Sequence, residues 1–358
     1  MEITAPKYFL GANSGEGFVS HFTSFYKNDT EWRIYILKGG PGTGKSSFMK
    51  YIAASCFDKG LKIEMCPCSS DPHSLDGIII PEIKTAVLDG TAPHIVEPQF
   101  PGVVEEIINL GAFWDSDQLK AKAQEIVRVQ KENGLLHKAA RGYLFAAGEL
   151  MRDNYNISLK ICDRDKTEKY AFHLAKKLIS PREGQGREDI RFIGGVTPLG
   201  VIAYTKSVTD YYKSMVILED SFGGAAGIFM GKIREYALKC GYDIITLKNP
   251  FLPSLLADHI LIPQLSLAFC REYEYVHFEA PQRRIHANRF YDAAAKKHFK
   301  GRICFNKKMT KELLGVACST LKRAKLSHDE LEKYYISTMD FERQSLFAIA
   351  TAKKILSR

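Results

Sequence analysis

The chain lacks the features that mark membrane-spanning, secreted and fibrous proteins. No apolar run in its 358 residues approaches the ~18 residues that a spanning helix needs, and its start shows no basic-then-apolar signal peptide. Its 27 glycines and 14 prolines are too few for a collagenous or low-complexity chain. Its eight cysteines have no regular spacing, and the close pair Cys66 and Cys68 lacks the second pair that a zinc site needs. The length of 358 residues predicts two domains, and these absences predict a protein of the reducing cytoplasm.

The net charge of +9 is confined to the second half of the chain. Residues 1–180 contain 22 basic and 22 acidic side chains, whereas residues 181–358 contain 28 and 19. The densest basic segment, 283–325, has 13 Lys and Arg against two acids. This segment is either a solvated helix surface or a face for a polyanion, of which nucleic acid is the commonest. The interleaved aromatic residues that either stack on bases or point into the core are Phe290, Tyr291, Phe299 and Phe305.

Short segments recur in the same order along the chain. The matched pairs are 8–12 with 191–195, 36–38 with 217–219, 48–49 with 229–230, 76–81 with 258–263, 98–99 with 281–282, and 175–180 with 352–357. The spacing between the members of a pair is nearly constant along the whole chain, which indicates a tandem duplication of one unit. We therefore predict a first domain over 1–180 and a second over 188–358, joined by a linker with Pro181, Gly184 and Gly186.

Hydrophobic periodicity predicts the elements of each unit. In the first unit the pattern predicts strands over 33–37, 61–66 and 84–88, and helices over 46–57, 115–133, 137–153 and 166–180, with 305–358 as the helical counterpart in the second unit. Continuous apolar strands separated by a helix are typical of a parallel sheet covered on both faces. The predicted fold class is therefore α/β, with two tandem parallel-sheet units that each carry a helical extension.

One segment carries a phosphate-binding pattern. Residues 39–46 read Gly-Gly-Pro-Gly-Thr-Gly-Lys-Ser and fit G-x-x-x-x-G-K-[ST], the P-loop pattern. Its glycines let backbone N–H groups point at phosphate oxygens, and a helix that starts near Lys45 directs its positive dipole end at the same anions. An apolar strand precedes the motif and an amphipathic helix follows it, as the pattern requires. The residues predicted to bind ATP with Mg²⁺ are Gly39, Gly40, Pro41, Gly42, Thr43, Gly44, Lys45, Ser46 and Ser47.

Three side chains are predicted to carry the chemistry. Lys45 neutralises the β- and γ-phosphates, and the Ser46 hydroxyl is a ligand for Mg²⁺. Asp89 follows a buried strand and either holds the Mg²⁺ or starts the turn at Asp89-Gly90. Because Gly90 stands where many ATPases have a glutamate that polarises water, another group must serve if water attacks. The alternatives near the strand ends are Asp71, Asp76, Glu82 and His94.

The second unit has a changed version of the loop at 220–227. Lys45 corresponds there to Ala226 and Ser46 to Gly227, while Asp89 corresponds to Arg271. Asp220 adds a negative charge that should repel phosphate. We therefore predict one nucleotide site per chain, in the first unit, and a second unit that keeps the fold without the chemistry.

Several of these segments resemble an uncharacterised bacterial family of tandem P-loop ATPases. The segments are Tyr8-Phe9-Leu10-Gly11-Ala12-Asn13, the loop 38–47, Cys68-Ser69-Ser70-Asp71-Pro72, Ser74-Leu75-Asp76-Gly77 and Asp89-Gly90-Thr91-Ala92-Pro93-His94. The resemblance covers essentially the whole chain. It implies two P-loop NTPase-like repeats, the second of them degenerate, and a bound nucleotide, but it implies no biological role.

Three functions fit these features. The first is an ATPase that couples hydrolysis at the first repeat to movement of the second. The second is a nucleotide or small-molecule kinase, because 88–93 resembles the strand-end pattern of nucleoside monophosphate kinases; its helical arginines would be Arg141, Arg152 and Arg164. The third is a nucleotide-dependent switch that binds a partner through the basic half. Arg283, Arg284 and Arg289 are either a solvated basic loop or the source of an arginine finger.

Overall fold

The computed structural model describes residues 3–27, 29–279 and 283–357. The first half contains β1 (Gly11–Ser14), β2 (Gly17–Ser20), β3 (Arg33–Lys38), α1 (Lys45–Phe57), β4 (Glu64–Pro67), β5 (Leu75–Ile80), β6 (Thr85–Asp89), β7 (Glu105–Asn109), α2 (Ser116–Ala121), α3 (Ala123–Lys160) and α4 (Arg164–Leu178). Within these residues no helix combines the length and the apolar character needed to cross a bilayer.

The second half follows a short linker and repeats this order with one additional strand and one additional short helix. It contains β8 (Glu188–Arg191), β9 (Gly194–Thr197), β10 (Gly200–Ala203), α5 (Lys206–Thr209), β11 (Ser214–Glu219), α6 (Gly224–Lys239), β12 (Ile244–Lys248), β13 (Ala257–Ile262), β14 (Leu267–Glu272), β15 (Arg283–His286), α7 (Ala293–His298), α8 (Lys300–Ile336) and α9 (Phe341–Leu356). Equivalent elements are offset by the same nearly constant spacing with which the sequence segments recur. The element bounds therefore agree with the predicted duplication; the pair 98–99 and 281–282 lies partly outside the described residues.

The α/β class is confirmed, but the sheets are mixed rather than parallel. The first sheet has the order β4-β5-β6-β3-β7, and the second has the order β15-β11-β14-β13-β12-β8. β3 is parallel to β6 and β7, whereas β5 is antiparallel to β4 and β6. The prediction missed β5, which a turn at Pro81–Lys84 joins to β6 with Lys84 in the left-handed region. Ser266 has the same conformation in the equivalent turn before β14.

The helical extensions form one antiparallel pair rather than the predicted series of shorter helices. α3 is continuous over 38 residues and packs along α8. The Asn133 side chain donates to the carbonyl oxygen of Ala324 at 2.7 Å, and the Asn154 side chain donates to that of Ile303 at 3.5 Å. These bonds fix the register. Gly134 is tolerated within α3 because burial of the neighbouring face against α8 outweighs the ~1 kcal/mol helix penalty of glycine.

Each unit lends its last helix to the other. α9 packs on α1, where Ala348 and Ala352 join the core that contains Phe48 and Ile52. α4 packs on α6 in the same way, with Leu174 in the core of the second sheet. Each sheet is therefore covered by a helix from the opposite half of the chain, although the predicted linker still lies between α4 and β8.

Candidate functional site

The loop between β3 and α1 is shaped by glycines in the left-handed conformation. Gly42 has φ 67° and Gly44 has φ 77°, values that side chains with a Cβ rarely adopt. Gly44 is the residue before α1, and no side chain caps the first N–H groups of that helix. The helix starts at Lys45, so its uncapped amides and positive dipole end face the space above the loop.

The structure brings Lys45 and Asp89 together at the carboxyl edge of the first sheet. The Lys45 ammonium donates to the carbonyl oxygens of Gly39 and Gly40 at 3.1 and 2.9 Å. It also lies 3.7 Å from a carboxylate oxygen of Asp89. The two meet because β3 and β6 are parallel neighbours, which places the loop after β3 beside the last residue of β6.

The two residues predicted to hold a metal ion line the same cavity. The buried Asp89 carboxylate accepts hydrogen bonds from the backbone N–H and the hydroxyl of Thr91 at 2.9 and 2.6 Å. The Ser46 hydroxyl oxygen accepts from the backbone N–H of Leu75 at 3.1 Å. Asp89 therefore uses one oxygen in a turn and directs the other toward Lys45. Of the two interpretations from sequence, the turn is seen in the contacts with Thr91, whereas the Mg²⁺ role of Asp89 stays a prediction.

A buried pair beside Asp89 extends the site. His94 Nε2 lies 3.3 Å from an Asp76 carboxylate oxygen, and the imidazole stacks on Phe22 with 4.6 Å between ring centroids. Burial opposes charge on the ring, but the Asp76 carboxylate outweighs it and raises the pKa of His94 above its usual value. Potential ligand atoms of Asp76, Asp89 and His94 lie within 4.8 Å of one another. Carboxylate and imidazole donors so arranged can hold a divalent cation.

Asp71 and Glu82, the other two residues suggested from sequence for activating water, have other partners than Asp76 and His94. Asp71 accepts from the Ser74 hydroxyl at 2.9 Å and lies 3.4 Å from the Lys325 ammonium. The prediction that Glu82 lies near the same strand ends is wrong. Glu82 sits in the turn before β6, and because β5 and β6 are antiparallel this turn is at the opposite edge of the sheet, where Glu82 pairs with Lys62.

The site opens into a cavity of about 820 Å³, within the range of small-molecule pockets. Its floor is formed by the glycine-rich loop and the ends of β5 and β6, and one end by the hairpin of β1 and β2. The roof is the helix pair. The roof residues are Gln130, Asn133, Gly134, His137, Ala140, Arg141 and Leu144 on α3, and Leu321, Ala324, Lys325, His328, Glu332 and Ile336 on α8.

Helices from the second half press directly on the loop. A Cβ placed on Gly40 would lie 2.7 Å from the Tyr335 ring, and one on Gly42 would lie 2.8 Å from the carbonyl oxygen of Glu332. A Cβ on Gly44 would lie 3.1 Å from the side-chain nitrogen of Gln344. Sequence reasoning missed these contacts because the partners lie near opposite ends of the chain and no local pattern marks them.

The sequence left Arg283, Arg284 and Arg289 as either a basic loop or the source of an arginine finger, and none of the three is in the described wall of the cavity. Arg284 lies 2.8 Å from both Glu219 and Glu272, and Arg283 donates to the Tyr170 hydroxyl at 3.1 Å. Arg289 stacks over the Tyr170 ring at 4.7 Å. These arginines belong to the edge of the second sheet. Of the helical arginines proposed for a kinase, Arg141 lines the cavity, whereas the described wall contains neither Arg152 nor Arg164.

The second loop is occupied by its own anion. The buried Asp220 carboxylate accepts from the backbone N–H groups of Phe222 and Ala226 at 3.0 and 2.9 Å. It also accepts from the Tyr291 hydroxyl at 3.0 Å. The Arg271 side chain donates to the Asp220 carbonyl oxygen at 2.7 Å. Asp220 thus takes the loop amides that a phosphate would need, which is a stronger obstacle than repulsion.

Most of the aromatic residues in the basic segment 283–325 point into the core. Phe290 and Tyr291 are buried and Phe299 packs against the core, whereas Phe305 is exposed. Lys296 and Lys307 lie over the Phe222 ring, and Lys325 reaches the cavity. Nucleic-acid binding through this segment stays a prediction.

Comparisons with protein-family profiles, curated proteins and solved structures find no match to this chain. The resemblance to tandem P-loop ATPases therefore stays a prediction, and the site is interpreted from its geometry.

Proposed function

We propose that the chain is a P-loop ATPase that binds ATP with Mg²⁺ at the first repeat. The observation that carries this is the convergence of uncapped α1 amides, Lys45, Ser46 and Asp89 at one sheet edge under an 820 Å³ cavity. Loop amides and a lysine at a helix start are the elements that neutralise transferring phosphate.

Each residue has a role in this proposal. Lys45 exchanges the carbonyl oxygens of Gly39 and Gly40 for the β- and γ-phosphates. Ser46 and Asp89 would hold Mg²⁺, which would neutralise charge on the phosphates. The Asp76–His94 pair on the adjacent wall accepts the proton of an attacking water. None of these steps needs a change in the sheet, because all the groups already lie at its edge.

Nucleotide binding at the first loop would be coupled to the second half because side chains and backbone of α8 and α9 cover this loop. Tyr335 and Glu332 at the end of α8, and Gln344 on α9, lie against the loop glycines. α8 continues from there along α3 toward the second sheet, and its other end pairs with Asp153 through Arg302 at 2.6 Å. Phosphate entering the loop would therefore act on helices that belong to the second repeat.

ATP binding and turnover test the proposal. We expect calorimetry to give one ATP–Mg²⁺ per chain, and Lys45→Ala to lower turnover by about 1000-fold or more because the lost charge stabilises the transition state. Lys59→Ala, an exposed position at the end of α1, is the matched control and should leave turnover unchanged. Two equivalent sites, or full turnover in a folded Lys45→Ala variant, would contradict the proposal.

Phosphoryl transfer to a small molecule is the second candidate, and the presence of Arg141 on the cavity wall favours it. Turnover that occurs without any acceptor supports hydrolysis. Turnover that requires an acceptor supports the kinase.

A further inference from the structure

The cavity extends beyond the glycine-rich loop. On α8 its wall runs from Leu321 to Ile336, which at ~1.5 Å rise per residue is a length of ~22 Å. On α3 the wall residues from Gln130 to Leu144 recur every three or four positions and therefore share one face. The loop contacts the Glu332 end of this roof. The opposite end of the roof lines additional space.

The charges of the lining are matched except at two positions. Its carboxylates pair with cations or histidines in the contacts Lys45–Asp89 at 3.7 Å, Lys325–Asp71 at 3.4 Å, His94–Asp76 at 3.3 Å and His328–Glu332 at 3.5 Å. Arg141 and Lys50 are exposed and form no ion pair with a carboxylate in the described part of the chain, and Lys50 donates to the carbonyl oxygen of His73. The lining therefore offers Arg141 as a guanidinium without a counter-ion.

The neighbours of Arg141 on α3 are hydrogen-bonding side chains. Burial, together with the charges of His328 and Arg141, lowers the pKa of His137, which stands one turn before Arg141 on the same face of α3. Asn133 stands one turn further on that face. A guanidinium flanked by neutral hydrogen-bonding side chains suits an oxyanion, because its planar donors can bind phosphate or carboxylate through two parallel hydrogen bonds.

The second repeat shows what this space becomes when no ligand is needed. At equivalent positions His137 is replaced by Leu314, Arg141 by Cys318, Thr91 by Tyr273 and Pro93 by Tyr275. The remaining cavity there is about 60 Å³. The duplicated fold can therefore close this space with ordinary side chains, and the first repeat leaves it open and polar.

We propose that the end of the cavity beneath Arg141 is a second ligand site, for a small molecule that carries a phosphate or carboxylate group. Arg141 is its principal counter-ion, and His137 and Asn133 are its neutral hydrogen-bonding partners. This inference rests on the proposed ATP function, since the ligand would bind beside a nucleotide held at the loop. A ligand placed there lies in the same chamber as the γ-phosphate.

The test uses the full chain saturated with the ATP analogue AMP-PNP and Mg²⁺. Equilibrium dialysis with labelled inorganic phosphate and, separately, labelled succinate measures the second ligand. We expect one of the two to bind, with affinity at least tenfold lower in Arg141→Gln and partly retained in Arg141→Lys. Lys138→Gln removes the same charge from an exposed position on α3 and should leave the affinity unchanged. Which anion binds more tightly distinguishes a phosphate site from a carboxylate site.

AMP-PNP affinity separates the possible failures. A wild-type chain that does not bind AMP-PNP contradicts the nucleotide function. Normal AMP-PNP binding with neither anion bound, or with anion binding that ignores Arg141→Gln, overturns the second site. A loss of AMP-PNP affinity in Arg141→Gln also overturns it, because Arg141 would then contact the nucleotide.

Discussion

At the carboxyl ends of their parallel strands, the two repeats differ in what fills the space under the helix pair. The first repeat leaves a cavity of about 820 Å³ that is lined by charged and polar groups. The second leaves about 60 Å³, and its loop amides bond to Asp220. The order of the strands around the loop is the same in both repeats. The turns before β6 and β14 both contain a residue in the left-handed conformation. The difference therefore lies in side chains and not in backbone design.

This contrast shows how the second repeat satisfies the same loop with its own side chains. Arg271 stands where the first repeat has Asp89, and it forms a buried ion pair with Asp258 at 2.8 Å. Asp220 supplies the negative charge for the loop. A negative charge is thus replaced by a positive one at the Asp89 position, and a negative charge is added in the loop at Asp220, which keeps the buried groups of the second repeat paired.

The largest expected effect is a loss of stability when the Asp220 carboxylate is removed from the second loop. Asp220→Ala removes the acceptor of the Phe222 and Ala226 N–H groups and of the Tyr291 hydroxyl. Each buried donor left without a partner costs ~1–3 kcal/mol, so we expect the free energy of unfolding to fall by about 3 kcal/mol or more. Urea denaturation measures it.

Asp210→Ala is the matched control for that change, because Asp210 is exposed. It should alter stability by no more than ~0.5 kcal/mol. Equal stability of the two variants would show that Asp220 does not stabilise the second loop, and would remove the main support for the contrast between the repeats.

A smaller loss of stability is expected at acidic pH because of His259, which has no counterpart in the first repeat. His259 is fully buried, and its Nδ1 accepts from the Arg271 backbone N–H at 3.2 Å, whereas Gly77 stands at the equivalent position. Burial lowers the pKa of His259 to about 4; Asp258 opposes this shift and Arg271 adds to it. The unfolded chain therefore binds the proton more readily than the folded chain between pH 6.5 and 4.

Stability due to His259 is thus complete above pH 6.5 and falls with acidification. From pH 7 to pH 5 the loss should be about 2 kcal/mol. Denaturation at the two pH values, for wild type and His259→Gln, measures the difference in slope between them. A variant with the wild-type slope would show that protonation of another group governs acid stability.

The sequence predicts the centre of the site well, because its signals are local. The apolar strand, the glycines and the helix around Lys45 form one uninterrupted segment, 33–57, and the structure has β3 and α1 within one residue of the predicted bounds. Asp89 ends its strand as predicted, since a buried run followed by Asp-Gly is a clear strand end. The roles of these residues stay predictions.

The rest of the site depends on contacts that no local pattern encodes. The antiparallel direction of β5 is set by a turn in which Lys84 has a left-handed conformation. This conformation is rare for residues other than glycine and therefore cannot be predicted from the sequence. The continuity of α3 past Gly134 comes from packing along α8. The cover from Tyr335 and Gln344, and the placement of Arg141 on the roof, follow from the exchange of helices between the halves.

The smallest expected effect is the loss of stability when the Tyr291 hydroxyl, which bonds to Asp220 in the second loop, is removed. Tyr291 donates to Asp220 at 3.0 Å and accepts from the Ala225 backbone N–H at 2.8 Å. Burial and the Asp220 carboxylate both raise the pKa of Tyr291, so the hydroxyl keeps its proton and remains a donor.

Tyr291→Phe keeps the ring but removes both bonds, and we expect a loss of about 1–2 kcal/mol in the free energy of unfolding. Because Asp220 retains its two backbone donors, the loss must be smaller than in Asp220→Ala, and the double variant should lose less than the sum of the two. Additive losses in urea denaturation would mean that Tyr291 and Asp220 act independently, and that the second loop is not held by one connected network.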